Sequence, residues 1–209
     1  TGTINADAAA NNRMLTITTN TGSVDLQGSI GDTEALDSLN INSAGGTGAI
    51  TLNSIGATGV TGASTANIGN NATATITFDG TDYVTVNTQE YRAASGTNFL
   101  IDTSTSFQTT DSAADIAFRN STIALSGGAT LSMDSGNLII LTSGVQGVST
   151  ETIVLTGTRA NLGTISGVQS ILVGTTVAQT NGNITTSSAT TTPGDNFIQF
   201  NGAFVLGNS

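Results

Sequence analysis

Residues 36–56 decide the fold, and they read LDSLNINSAGGTGAITLNSIG. Residues 15–31 carry a shorter version of the same pattern and read LTITTNTGSVDLQGSIG. The two stretches align with small gaps at an offset of about 24 residues, which is the distance from Leu15 to Leu39. A repeat of roughly 20–25 residues has the size of one solenoid coil, which buries its apolar face only by stacking on a neighbouring coil. The repeat therefore predicts a stack of β-coils.

Alternation of apolar and polar residues indicates β-strands. It is clearest in residues 15–18 (LTIT), 39–42 (LNIN), 50–53 (ITLN) and 76–79 (ITFD). Because successive side chains of a strand point to opposite faces, one face should be buried and the other should carry hydroxyl and amide groups. Gly, Asn, Asp and Ser separate many such runs along the chain. We therefore predict an all-β fold, a parallel β-solenoid (β-helix) with Gly/Asn/Asp-rich turns, in which residues 1–209 form one segment of a longer repetitive chain.

Two local signals favour a different arrangement. Residues 78–81 (FDGT) and 200–203 (FNGA) place Asp-Gly and Asn-Gly between strand-like runs, and these dipeptides are strong signals for a β-hairpin. Hairpins are antiparallel, so they predict either hairpin excursions from the solenoid or, as the alternative fold, a β-sandwich. Residues 32–39 and 112–117 could also form a helical turn or two.

Composition narrows the function classes. The chain has a net charge of −10, and its four cations are all arginines, too few and too scattered to displace counterions from nucleic acid. Without Cys or His, thiol chemistry, disulfides and imidazole catalysis are excluded. No run reaches the roughly 18 apolar residues of a membrane-spanning helix, so membrane insertion is not expected. Since aromatic residues make up only 4% of the chain, the core is expected to consist of thin aliphatic layers.

Several stretches resemble a known family. Residues 36–56, 91–99 (YRAASGTNF), 124–131 (ALSGGATL) and 182–187 (GNITTS) are similar to repeats of filamentous-haemagglutinin-like and autotransporter-type giant bacterial surface proteins. The resemblance extends over nearly the whole chain. It implies a parallel β-solenoid, export to the bacterial cell surface, tandem repetition beyond these residues, and a role in adhesion, surface layers or fibres. The irregular coil length and the two hairpin signals depart from the most regular members.

Acidic turns supply the candidate metal ligands. Asp79 and Asp82 flank a turn, and Asp111 and Asp115 form a second spaced pair. Calcium binds six to eight oxygen atoms, so Asp79 and Asp82 are candidate calcium ligands. The competing interpretation is that these residues form turns and keep the surface hydrated. No catalytic residue and no other cofactor is predicted.

These observations predict a structural or adhesive protein, and not an enzyme, located outside the cell or at the bacterial surface. We expect self-association with like subunits or adjacent repeats, and contacts with glycans or a host surface. Because the chain starts at Thr1, we expect it to be either a processed form or an excerpt. The alternatives are a discrete carbohydrate- or host-binding adhesin module and a polysaccharide-acting β-helix enzyme. The Thr-x-Thr motifs of the chain add an ice-binding protein as a further alternative.

Overall fold

The structure is a computed structural model that describes residues 2–8, 13–141, 143–148, 150–174, 177–180, 184–186, 197–200 and 204–206. Within these residues the chain forms β-strands and no helix. The strands are β1 (Met14–Ile17), β2 (Val24–Leu26), β3 (Leu36–Ile41), β4 (Ile50–Leu52), β5 (Ala63–Ile68), β6 (Ile76–Phe78), β7 (Asp82–Thr85), β8 (Gln89–Arg92), β9 (Asn98–Ile101), β10 (Thr105–Thr109), β11 (Ile116–Arg119), β12 (Thr122–Leu125), β13 (Thr130–Leu141), β14 (Val145–Gln146), β15 (Thr152–Leu162), β16 (Ile165–Val168), β17 (Ser170–Val173), β18 (Val177–Thr180), β19 (Ile184–Thr186), β20 (Phe197–Phe200) and β21 (Phe204–Leu206).

The strands stack into a parallel β-solenoid with three faces. The coil made by β10, β11 and β12 is typical, because β10 pairs with β7 and β13, β11 with β8 and β13, and β12 with β9 and β14, all in parallel. The first face contains β7, β10, the start of β13 and of β15, β17 and β20. The second contains β1, β3, β5, β8, β11, the ends of β13 and β15, β18 and β21. The third contains β2, β4, β6, β9, β12, β14, β16 and β19.

The predicted offset between coils is confirmed, and so is its irregularity. Leu15 lies beside Leu39, 24 positions further along the chain. Leu39 in turn lies beside Ala66, and Ile153 lies beside Ile171, which correspond to offsets of 27 and 18 residues. Loops at the corners absorb these differences, so the strands stay in register while the coil length changes.

In-register stacking arranges the inward side chains in columns along the solenoid. On the first face one column runs Ile30, Ile55, Tyr83, Phe107, Met133, Leu155, Val173. On the third face another runs Val24, Ile50, Ile76, Phe99, Ile123, Val145, Ile165. All of these side chains are buried, and burying one Val, Leu, Ile, Phe or Met stabilises the fold by about 1.5–3 kcal/mol.

The expectation of a purely aliphatic core is wrong for the middle coils. Six aromatic side chains pack together there, namely Phe78, Tyr83, Tyr91, Phe99, Phe107 and Phe118. Tyr83 stacks on Phe107 with ring centroids 4.8 Å apart, and Tyr91 stacks on Phe118 at the same distance. These pairs occupy equal positions of adjacent coils, so strand register places their rings face to face. The low aromatic content of the sequence therefore did not reveal that these residues cluster in the middle coils.

The predicted hairpin at residues 78–81 is wrong. There β6 leads into β7 around a corner, from the third face to the first, and both strands pair in parallel with other coils. A hairpin turn at Asp-Gly needs positive φ, but neither Asp79 nor Gly80 has it. Gly80 serves a different purpose, since a Cβ there would lie 2.2 Å from the Ser54 nitrogen. The glycine permits close packing between coils.

The second hairpin prediction, the β-sandwich alternative and the predicted helical turns also differ from the structure. Residues 201–203 lie outside the described residues, but β20 and β21 on either side pair in parallel with β17 and β18. Within the described residues the one antiparallel pairing is the short bridge between Ala57 and Val60, so the β-sandwich alternative is wrong. The two segments considered for helical turns contribute instead to turns and to β3 and β11.

Candidate functional site

A polar groove opens on the outside of the second face, with a volume of about 570 Å³. Its floor contains Asn40 of β3 and Asn67 of β5. The neighbours of these residues in the strands, Leu39, Ile41 and Ala66, are buried inside the solenoid, so strand alternation turns both asparagines outward. They are in register, and Asn67 Nδ2 donates a 3.1 Å hydrogen bond to Asn40 Oδ1.

One wall of the groove is formed by a corner loop that includes Ser43 and Ala44. Asn42 begins this loop in the left-handed region with φ of 50° and is fully buried. Its side chain accepts a 2.8 Å hydrogen bond from the Thr19 backbone N–H of the preceding coil. From the following coil, Asn70 Nδ2 donates to the carbonyls of Asn42 and Gly46 at 2.6 and 2.8 Å. The wall is therefore held in place by amide side chains on both sides.

Two charged residues, Glu90 and Arg92, line the far end of the groove, and Arg119 lies beside them, hydrogen-bonded to Glu90. Glu90 follows Asn67 in register on β8 and lies between two arginines. Arg92 donates through Nε to Glu90 Oε1, and Arg119 donates through Nε to Glu90 Oε2 at 2.9 Å. Burial opposes ionisation of Glu90, but hydrogen bonds and charge attraction from Arg92 and Arg119 outweigh it and lower the pKa of its carboxyl group. With one carboxylate and two guanidinium groups, this cluster has an excess of one positive charge.

A second open groove follows at the corner between the second and third faces. It has a volume of about 390 Å³ and is lined by Asn71, Ser95, Asn120 and Ser143. Asn71 also lines the first groove, so the two grooves adjoin. Asn120 Nδ2 donates a 2.6 Å hydrogen bond to Asn71 Oδ1. Together the grooves make an extended polar surface lined mainly by amide and hydroxyl groups.

The predicted calcium ligands are placed at a different corner. Asp79 is exposed in the turn before β7, and Asp82 begins that strand. The carboxylate of Asp82 accepts hydrogen bonds from the hydroxyls of Thr58 at 3.1 Å and Thr81 at 2.7 Å. Across the described ranges, no group of three or more acidic, His or Cys side chains is arranged to hold a metal ion. Calcium binding by Asp79 and Asp82 stays a prediction that rests on two carboxylates.

The second acidic pair is used for local structure. Asp111 accepts a 2.8 Å hydrogen bond from the backbone N–H of Ala113, which is two residues later. Asp115 accepts from Asn137 Nδ2 at 2.8 Å and from the Leu138 N–H at 3.2 Å. Asp111 therefore stabilises a turn, as the competing interpretation expected, while Asp115 links two coils.

Two buried polar residues were not predicted. Gln89 occupies an inward position of the second face and is fully buried. Its Nε2 donates to the carbonyls of Tyr83 and Gln108 at 3.1 and 2.8 Å, while its Oε1 accepts from the Tyr91 hydroxyl at 2.8 Å. Glu151 is also fully buried, and its carboxylate accepts hydrogen bonds from backbone N–H groups of its own and the preceding coil. Both residues tie loops or strands to the core, as expected of satisfied buried polar groups.

The threonine array considered for ice binding is short on the third face. Thr51 and Thr77 are adjacent in register there, but the outward position before them is Asp25 and the one after them is Leu100.

Comparison with protein-family models gave no match, and neither a curated protein nor a solved structure matched the chain. Among the segments that the structure describes, no helix has the length and apolar character required to cross a membrane.

Proposed function

We propose that this chain is a structural and adhesive section of an extracellular bacterial fibre or surface layer. The observation that supports this function is the parallel pairing of strands, coil upon coil, along all three faces. Each coil buries its apolar columns only against its neighbours, so adding coils extends the solenoid without changing its cross-section. Length and stiffness then follow from repetition, and the outward polar side chains and corner loops are available for contact.

Self-association follows from the same architecture. The terminal strand of a stack presents unpaired backbone N–H and C=O groups, which can pair with a further strand. In the third face, β2 and β19 are the outermost described strands. The partner at such an end is an adjacent repeat of the same protein or a second copy.

Electron microscopy of the purified chain tests this proposal. We expect rods or filaments of constant width that lengthen as the protein concentration rises, because further copies of the chain add only at the two ends. The matched control is the same preparation after dilution, in which the rods should shorten at unchanged width. Separate compact particles at every concentration would contradict the assembly.

A second candidate function is glycan binding, and the polar grooves favour it. Amide and hydroxyl groups both donate and accept hydrogen bonds, which suits the hydroxyl groups of a sugar. A glycan array probed with the chain tests this candidate, and binding without filament formation would favour a discrete adhesin module over a fibre subunit.

A further inference from the structure

We propose that the groove on the second face binds an acidic polysaccharide, with Arg92 and Arg119 holding its anionic groups. This inference rests on the glycan-binding candidate function and adds the charge class of the ligand. The shared chemistry is a polymer of hydroxyl-rich units that carries carboxylate or sulfate groups.

Glu90 holds both guanidinium groups in place before any ligand arrives. Each uses Nε to hold Glu90, and within the described residues the Nη atoms of Arg92 and Arg119 make no hydrogen bond to the protein. Their side chains remain 39% and 35% exposed. Arginine binds carboxylate and sulfate-like oxygens through paired N–H groups. Because Glu90 fixes the side chains in advance, less conformational entropy is lost on binding.

The charge at this position differs from that of the whole chain. The net charge is −10, whereas the cluster of Glu90, Arg92 and Arg119 has an excess of one positive charge. The net negative charge of the chain repels an acidic polymer and this cluster attracts it, which favours binding at the groove.

The groove matches an extended chain that lies along the solenoid axis. Asn40, Asn67 and Glu90 belong to three successive coils, and coils are about 4.8 Å apart. The adjoining groove with Asn71 and Asn120 extends the polar surface further along the axis. A polymer placed here meets amide groups beside the arginines, whereas a small anion would contact the arginines alone.

The lining favours a glycan over other polymers. Ala44 and Ile68 are the apolar residues of the main groove, which is little for a peptide that needs apolar or aromatic anchors. Nucleic acid binding uses many cations and exposed aromatic rings for base stacking. The six clustered aromatic rings are all buried, so they are not available for stacking.

Binding measured by titration calorimetry with defined polymers tests the inference. The probes are polygalacturonate for carboxylate, dextran sulfate for sulfate, and carboxyl-reduced polygalacturonan and dextran as neutral polymers. We expect polygalacturonate, dextran sulfate or both to bind at least tenfold more tightly than their neutral counterparts, and the two acidic probes distinguish the preferred anion. This comparison uses the unaltered chain and does not depend on the folding of a variant.

Two variants then locate the site. Arg92→Gln combined with Arg119→Gln should reduce acidic-polymer affinity at least tenfold and weaken its dependence on salt, because two ionic contacts with the carboxylate or sulfate groups are lost. Arg159→Gln is the matched control, since Arg159 is exposed, lines neither groove and contacts Asn137 instead of Glu90, and it should bind like the unaltered chain. Circular dichroism checks that both variants fold like the unaltered chain.

The outcomes separate this inference from the functions on which it builds. Equal binding of neutral and acidic polymers, or full affinity in the double arginine variant, would refute the inference and leave glycan binding intact. Failure to bind any glycan would remove both, while filament formation would stand on its own measurement. Tighter binding of poly-glutamate or single-stranded DNA than of either acidic glycan would refute the polysaccharide class.

Discussion

Replacing Gln89 by Leu tests whether the buried amide network stabilises the middle coils. The neighbouring inward positions in adjacent coils are Ala66 and Ile116, so an apolar side chain of similar size can be accommodated there. The change removes hydrogen bonds to two carbonyls and deprives the Tyr91 hydroxyl of its acceptor. A buried polar group that loses its partner costs about 1–3 kcal/mol, and we expect Gln89→Leu to lower the free energy of unfolding by about 2–4 kcal/mol.

The second variant in this test adds Tyr91→Phe to Gln89→Leu. Removing the phenolic hydroxyl also removes the unpaired donor, and replacing both members of a buried pair can be nearly neutral. The double variant should therefore recover about 1–2 kcal/mol relative to Gln89→Leu alone. Guanidinium unfolding followed by circular dichroism measures these differences. An unchanged midpoint for Gln89→Leu, or a double variant as unstable as the sum of the single variants, would refute the reasoning.

Four further perturbations probe other parts of the molecule. Gly31→Ala should lower the free energy of unfolding by about 2 kcal/mol or more, since φ is 68° and the new Cβ would lie 1.9 Å from the Gly62 oxygen. Gly59→Ala is the control, because Gly59 has a similar φ but open space around it, and it should cost about 1 kcal/mol. Similar melting temperatures for the two variants would contradict this. Glu90→Gln should destabilise the fold at pH 7 by less than about 1 kcal/mol. Because the pKa of Glu90 is lowered in the folded state, this difference should persist above the ordinary glutamate pKa and disappear as pH falls through the lower folded pKa; a constant difference would count against the ion pairs. Burial raises the pKa of Tyr83 and Tyr91, so their contribution to the free energy of unfolding is fully present below about pH 10 and is lost as pH rises further. Phenolate absorbance that appears before the chain unfolds would contradict this, because it would show that the rings are accessible to solvent. If Asp79 and Asp82 bind calcium, the melting temperature should be higher in millimolar calcium than in excess chelator, and Asp79→Asn or Asp82→Asn should abolish the difference. Identical melting curves would eliminate the site.

The sequence predicts the solenoid because one pair of coils is nearly repeated. Leu15 and Leu39 occupy equal positions in the repeat and are neighbours in the structure, and the alternating runs form buried columns as expected. The hairpin prediction at Asp79-Gly80 failed for a physical reason. Gly is favoured both where the backbone reverses and where two backbones approach closely, and the local sequence does not distinguish these two needs.

The groove could not be predicted in the same way, because its residues come from different coils joined by loops of unequal length. Asn40, Asn67 and Glu90 become neighbours only when the register is known, and a fixed repeat length does not align them. One signal was nevertheless present. Glu90 and Arg92 alternate around an inward tyrosine, and Arg119 follows Arg92 at a spacing close to one coil. An alignment of coils by inward residues would have brought these charges together.

The parallel pairing between coils also determines how the molecule responds to mechanical tension. Hydrogen bonds between parallel strands run across the strands, and in a solenoid that direction follows the long axis. A pull along the axis therefore loads the junctions between coils in series, and the weakest junction yields first. Coils whose aromatic rings interlock, from Phe78 to Phe118, should part last. Under tension the solenoid would therefore lose coils from its ends first, while the aromatic middle coils stay paired.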